Sequence, residues 1–599
     1  LLLKQLSEVP LLARMSLMFV GLMWVLPFLY FKHAYPLTTF YQEWGAAVLG
    51  LCAMPLLVSQ RSWLQPEIPR IVLLPIGLML LVLIQFALGK IGYFSQTLLF
   101  TLYLLWSALL IMLGHSLRKE FGLPHLAMLL AVFLLLGAEI SAAIGLLQHF
   151  HLRTFLDPVV TVSTTQIVFG NMGQPNHFAN YIALGLISLG LLHTHWQLRA
   201  WQVIVPAIPM LFVLVLSGSR SAWLYLLCLA GIAYLWQRRD QANRQLFYYS
   251  LLLLAGFGLM HFVVQLPWLS GDYGSVTSLD RMVQGATSLE GSGGVTERSI
   301  RLHIWYEAWL IFKQFPLLGA GLGQFGWQHF LLGPALHNTS ILGLYNNSHN
   351  LIMQTAAEMG LAGLFILLGS LALWIRQIHK SFLTVYHWWG CGLLSVLGIH
   401  SLLEYPLWYA YFLGVASLTI GIMDGTTYRL ELRNIGRLSV ISILLLGVLS
   451  LTQVWQGYRN LEVLITARPS PVESENYFQA LQEARGQALL QPYVEVAISS
   501  MMEIRADNLV AARALNESVM HFVPISSVVY REAILLALSG ELSAAQTQLQ
   551  CAIWAFPEGY AMAMEEMRSF ARKDPVHFAA LLEFAPKIYE EYQLAVHSK

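Results

Sequence analysis

The sequence predicts an all-α polytopic membrane protein of about thirteen transmembrane helices, ending in a soluble α-helical domain. Three observations predict it. Charged residues make up only 11% of the 599 residues while hydrophobic ones reach 57%, and mean hydropathy is +0.59; a soluble chain carries roughly a quarter charged residues. Apolar runs of about bilayer-spanning length recur along residues 1–456. Beyond about Gln456 the composition changes to 11 Lys and Arg against 17 Asp and Glu, net −6, which leaves +7 for the part before it.

In chain order the apolar runs lie near 15–31, 45–60, 70–88, 93–114, 125–148, 178–194, 201–217, 221–237, 246–265, 350–374, 386–400, 405–423 and 437–455. A tilted or upright helix needs roughly 17 to 25 such residues to cross a bilayer. The first run exceeds a signal-peptide core and further runs follow it, so it reads as a retained helix; the chain starts at Leu, and an initiator upstream is expected. Lys4, Arg14, Arg61, Arg70, Arg118, Lys119, Arg199, Arg238, Arg239, Arg244, Arg376, Lys380, Arg429, Arg433 and Arg437 fall on one side of this arrangement. The opposite short connections hold Lys32, Lys90, Arg153 and Arg220. By the positive-inside rule the N-terminus is cytoplasmic, and an odd helix count puts the C-terminus on the opposite side of the membrane.

Two outer connections are long, about 150–177 and about 265–348, the second rich in Gly and Ser around "EGSGGVTERS". Long loops on one face of a bundle are where sites concentrate, which makes the outer face the functional one. The domains expected are a transmembrane catalytic part, 1–456, and a helical part, 457–599. Within the latter, Gly540, Ala545, Leu549, Ala552 and Pro557 fall at the intervals of a tetratricopeptide helix pair, a surface suited to a partner. Cys52, Cys228, Cys391 and Cys551 are scattered and suggest neither a disulfide framework nor a zinc site.

The sequence contains no P-loop, no HExxH, no CxxC and no DxD, so nucleotide hydrolysis, zinc proteolysis and transfer through a metal-binding acidic pair lack support. "GLGQFG" (321–326) fits GxGxxG but has no βαβ pattern around it. Four polar clusters remain, all on the outer face. "FGNMGQPNHFANY" brings Gln174, Asn176 and His177 to a helix start; Pro suits that first turn, while the amides suit sugar hydroxyls and peptide groups. "LSGSRSAWL" sets Arg220 among serines and a glycine, either as a snorkelling anchor or as an anion ligand.

"TERSIRLHIWYEAW" spaces Arg298 and Arg301 three apart, one face of a helix; guanidinium grips phosphate oxygens bidentately, although a solvated pair beside Glu297 and Glu307 is the alternative. "YNNSHNLIMQ" places His349 between Asn347 and Asn350 at the mouth of an apolar run. An imidazole there is the natural general base near neutral pH, against the alternative of a cap or packing residue. Glu358, nine residues on, is half a turn out of phase and a poor orienter unless the helix is broken. His400 and Glu404 are four apart, followed by Tyr405 and Pro406.

"SGSRSAWL", "RLHIWYEAW" with "FPLLGAGLGQFG", and "NNSHNLIMQTAAEMGLAG" together resemble the core of the O-antigen ligases and polymerases, over roughly 210–370. "GNMGQPNHFANYIALG" and "HSLLEYPLWYAYFLG" resemble more narrowly the bacterial protein O-oligosaccharyltransferases of the pilin-glycosylating type. The resemblance implies en bloc transfer of a glycan from undecaprenyl pyrophosphate to a Ser or Thr hydroxyl of an exported protein. It implies His349 as the catalytic histidine, Arg220 and Arg301 as pyrophosphate ligands with Arg298 beside them, and Gln174 and Tyr405 in substrate binding. Asn176, His177, Asn347, Asn350, His400 and Glu404 accompany these as expected substrate contacts. No cofactor is expected, and nothing in the sequence supplies a metal cage. The expected partners are the lipid-linked donor, a pilin-like acceptor and membrane lipids. Rival readings are an O-antigen ligase acting on the lipid A core, an O-antigen polymerase, and, in another class, a lipid-linked glycan transporter, which internal inverted repeats would favour.

Overall fold

The computed structural model describes residues 9–59, 67–163, 166–270, 277–280, 297–337, 339, 343–380, 384–430, 433–466, 474–486 and 489–597. Its helices are α1 (Leu11–Met23), α2 (Leu26–Leu29), α3 (Phe40–Ala53), α4 (Leu73–Ala87), α5 (Phe94–Phe121), α6 (Leu123–His149), α7 (Pro175–Trp196) and α8 (Ala200–Leu216). They continue with α9 (Ser221–Arg239), α10 (Arg244–Val263), α11 (Glu297–Gln314), α12 (Phe325–Leu336), α13 (Leu351–Lys380), α14 (Val385–Ser401), α15 (Ala410–Met423) and α16 (Arg433–Thr466). Among the described residues the strands are β1 (Glu67–Pro69) and β2 (Thr427–Arg429), antiparallel with Glu67 opposite Arg429.

Each of the thirteen apolar runs coincides with helix. Among the described residues, eight helical stretches are long and apolar enough to cross a membrane: Leu11–Leu29, Phe40–Val58, Arg70–Ala87, Phe94–Phe121, Leu123–His149, Gln241–Val263, Leu351–His379 and Asn434–Thr466. The other runs form α7, α8, α9, α14 and α15, which are shorter or carry more polar residues. The physical reason is clearest in α7, where every residue from His177 to Leu192 is buried. A helix covered on all sides by protein does not need an all-apolar surface toward lipid.

The chain divides into two compact units. The first comprises Leu1–Gly77, Tyr103–Glu290 and Leu367–Leu451. Its core gathers Trp24, Phe28, Tyr181, Trp388 and Trp389 around α7, and the Trp389 indole donates to Ser188 Oγ at 3.1 Å. Gly185 lets α7 approach α6 closely, since an added methyl would collide with Ala138.

The second comprises Leu78–Leu102, Gly291–Ile366 and Thr452–Lys599. Its C-terminal helices are α17 (Ser474–Arg485), α18 (Gln491–Met501), α19 (Leu509–Phe522), α20 (Ser526–Leu538), α21 (Leu542–Ala555), α22 (Tyr560–Ala571) and α23 (Pro575–His597). Gly540 turns between α20 and α21 at φ +78°, with Ala545, Leu549 and Ala552 fully buried, as the spacing of small residues predicts for a helix pair. Within the same unit Phe330 of α12 enters the core of these helices, and Gly343 N–H donates to the Ala555 carbonyl at 2.9 Å.

Candidate active site

In the first unit, α7 begins at Pro175, and the Gln174 side chain caps it by accepting the His177 N–H at 2.6 Å. Asn176 in that first turn spans two other elements. Its Nδ2 donates to Glu404 Oε1 at 2.9 Å, and its Oδ1 accepts from Ser219 Oγ at 2.8 Å. Ser219 directly precedes Arg220, and the turn closes through Gly218 at φ +61°. One amide thus ties the Gln-Pro-Asn, Ser-Gly-Ser-Arg and Glu-Tyr-Pro segments together. Arg220, half-buried, sits at the start of α9.

His177 and His400 are 4% and 0% exposed. The His177 ring stands edge-on to His400, Tyr409 and Phe412 at 5.3, 4.9 and 5.2 Å. His400 Nδ1 lies 3.0 Å from Tyr225 Oη. Tyr405, half-buried, stacks on Tyr409 at 5.7 Å.

In the second unit, His349 is held at φ +52°, a left-handed backbone that costs a non-glycine residue on the order of 1 kcal/mol. Short polar side chains maintain it. Asn347 Oδ1 accepts the His349 N–H at 2.8 Å, and Gln354 Oε1 accepts the Ser348 N–H at 2.6 Å. Asn350 Oδ1 caps α13 by accepting the N–H groups of Ile352 and Met353 at 3.0 and 3.2 Å. From α11, the Trp305 indole donates to the Ser348 carbonyl at 3.0 Å. Trp305 lies one turn beyond Arg301, so both leave the same face of α11. Arg298 lies on the α11 backbone, but its side chain is outside the described residues.

Glu307 of α11 is wholly buried. His329 Nδ1 of α12 lies 2.6 Å from one of its oxygens and His303 Nε2 3.2 Å from the other. Burial pushes this carboxyl up, but the two imidazoles outweigh burial and hold it below the ordinary carboxylate value. Glu307 is thus a core residue with two histidines beside it, not a carboxylate on a solvated face.

α13 is broken at Gly360 (φ 62°, ψ −158°), two residues past Glu358, so the break does not turn Glu358 toward His349. Its Oε1 accepts the Phe325 N–H at 3.1 Å instead. The stretch 319–321, which leads into "GLGQFG", supplies the backbone groups that pair with the carbonyls the break leaves open. Gly321 N–H donates to the Glu358 carbonyl at 3.0 Å and Ala320 N–H to the Ala357 carbonyl at 2.9 Å. Gln85 Nε2 donates to the carbonyls of Glu358 and Leu318 at 2.7 and 2.6 Å. Gly319, at φ +72°, lies so close to the Glu358 carbonyl that any side chain would collide with it. Gly319 thus serves close backbone approach, which only glycine permits here.

Comparison with known proteins follows these groups. Residues 205–368, with Arg220, Arg301 and His349, match the model of the O-antigen ligase family. Residues 168–193, with Gln174, Asn176 and His177, match that of a protein glycosylation ligase. Residues 388–568, with His400, Glu404 and Tyr405, match that of the C-terminal part of a virulence factor membrane-bound polymerase. A general O-oligosaccharyltransferase of Acinetobacter baylyi is 25% identical over 476 residues, 77% of this chain and 79% of the relative. The chain is similar to O-oligosaccharyltransferases. A second such relative from the same organism, described as ComP-specific, is 25% identical over 415 residues, 66% of this chain and 68% of its own length. The resemblance read from the motifs is borne out.

Sequence reasoning missed Trp305, Glu307 as a core residue, His329, Gln354, Ser219 and Tyr225. The spacing of Trp305 four residues after Arg301, and of Glu307 four after His303, was a legible signal of shared helix faces. Gln354 and His329 carried none, because the partner of the first lies in a loop and that of the second on another helix.

Proposed function

We propose that this protein is a membrane-embedded O-oligosaccharyltransferase that moves a preassembled glycan from undecaprenyl pyrophosphate to a Ser or Thr hydroxyl of an exported, pilin-like protein. What supports the reading most is the His349 loop. An imidazole is presented on a backbone locked in a strained conformation, one hydrogen bond away from the helix that carries Arg301, and strain of that kind concentrates at functional sites.

The acceptor hydroxyl oxygen attacks the anomeric carbon, and its proton passes to His349. The anomeric C–O bond breaks, and its electron pair stays on the diphosphate, whose growing charge Arg301 stabilises. A base so placed contributes about 10²- to 10⁴-fold, and cations that meet charge developing in the transition state lower the barrier rather than merely bind. Direct displacement inverts the anomeric centre. Arg220 and Arg298 as further diphosphate ligands, and Gln174 and Tyr405 as substrate contacts, rest on the resemblance. So does the placement of the reaction at the periplasmic face of the inner membrane, with 1–456 as the catalytic part and 457–599 as a periplasmic helical part suited to acceptor docking.

Intact-mass analysis of candidate pilins, co-expressed with this chain and a lipid-linked glycan pathway, tests the reading. A glycan-sized mass increase that disappears with His349→Ala at equal protein abundance is the expected result. No increase on any exported protein, with ladder-pattern lipopolysaccharide lost on deletion, would move the acceptor to lipid A core.

A further inference from the structure

Ser348 C=O and His349 N–H belong to one planar peptide unit. The plane is pinned at both ends: Asn347 Oδ1 accepts its N–H at 2.8 Å, and the Trp305 indole donates to its C=O at 3.0 Å. A flip of this plane would carry φ of His349 from +52° toward the extended region, where an L-residue relaxes. Asn347 belongs to the same loop and can follow such a flip. Trp305 belongs to α11, which cannot: Ile304, Ala308 and Ile311 are buried against Phe325 and Ala357, and Glu307 ties the helix to His329 at 2.6 Å.

We propose that Trp305 is a positioning residue: its indole N–H holds the Ser348–His349 peptide plane and so keeps the His349 imidazole oriented with respect to the helix bearing Arg301. The catalytic consequence rests on the transferase reading above. The backbone consequence rests on the geometry alone. Trp305 touches no reacting atom in this scheme; it determines where the base stands, and a small misplacement of a base costs turnover while leaving donor affinity in place.

The test uses the full-length protein in detergent or nanodiscs, with Trp305→Phe and with a benzothiophene amino acid at 305 that keeps the indole shape but lacks the N–H. A fluorinated tryptophan, which keeps the N–H, is the rescue. Hydrogen exchange over 346–353 and steady-state transfer kinetics are read in parallel. The two N–H-less variants are expected to exchange at least about fivefold faster in that segment. Their kcat is expected to fall about tenfold with KM for the lipid-linked donor within about twofold, while the fluorinated protein matches wild type.

A benzothiophene variant indistinguishable from wild type in exchange and kcat would overturn the inference, as would a loss expressed mainly in donor KM. If Trp305→Phe fails to fold, the benzothiophene variant decides, because it fills the same volume. If the wild type transfers no glycan to protein, the transferase reading fails, and the exchange arm still judges whether Trp305 holds the plane.

Discussion

The polar network around Asn176 in the first unit and the one around His349 in the second are organised in opposite ways. In the first unit, side chains bond to side chains: Ser219 to Asn176, Asn176 to Glu404, Tyr225 beside His400, with two buried histidines packed among aromatic rings. In the second, side chains bond to the backbone of one loop: Asn347, Gln354, Asn350 and Trp305 each fix a peptide group around His349. The first arrangement joins three distant segments, so breaking it should cost fold and function together. The second shapes one residue's backbone, so breaking it should cost turnover before stability.

The sharpest test of that contrast is His349→Ala. Transfer should fall by about 10²- to 10⁴-fold with the melting temperature nearly unchanged, measured by glycan transfer and by thermal unfolding of the purified protein. A large loss of stability would erase the distinction. Arg301→Ala should lower kcat by about 10²-fold. Arg301→Lys should recover only part of it, since a point charge replaces a planar fork; full recovery would count against a diphosphate ligand.

Gly319→Ala belongs to neither class, because it strikes the clamp around the α13 break. A methyl group at φ +72° against the Glu358 carbonyl should cost several kcal/mol and lower the yield of folded protein. Asn176→Ala should destabilise the first unit by about 1–3 kcal/mol, because Ser219 loses an acceptor and buried Glu404 a donor. If Asn176→Ala lowered transfer by orders of magnitude with unchanged melting, Asn176 would be a substrate contact, as the sequence alone suggested.

Much of the fold was legible because it rests on periodic composition. Every apolar run coincides with a helix, and the Gly540 turn follows from small residues at fixed intervals. Membrane-spanning length was less legible. α7, α14 and α15 lie in protein rather than against a uniform solvent, and an apolar run does not say what covers it. Of the site, the residue types were readable and their partners were not. Gln174 and Asn350 act as caps, a role their positions before helices announce. Nothing local in the sequence says that Asn176 bridges to Glu404, 228 positions away, or that the match to GxGxxG serves a helix break.

The smallest expected effect is also the most specific to α11. The Glu307 carboxyl is held below its ordinary value of 4.5 by His303 and His329. A group depressed on folding contributes stability that is present above its unfolded pKa and lost as pH falls through the folded one. The contribution should therefore be intact at neutral pH and decline as pH falls below 4.5. Glu307→Gln removes that titration, so its thermal stability should fall less steeply than wild type as pH drops below about 4.5, although it starts lower at pH 7 because the buried carboxylate contacts to His303 and His329 are weakened. Because Glu307 anchors the helix that Trp305 and Arg301 share, the substitution should also lower kcat modestly at neutral pH. An acid limb identical to wild type would mean that some other carboxylate governs stability there, and that the Glu307–His329 contact contributes packing rather than charge.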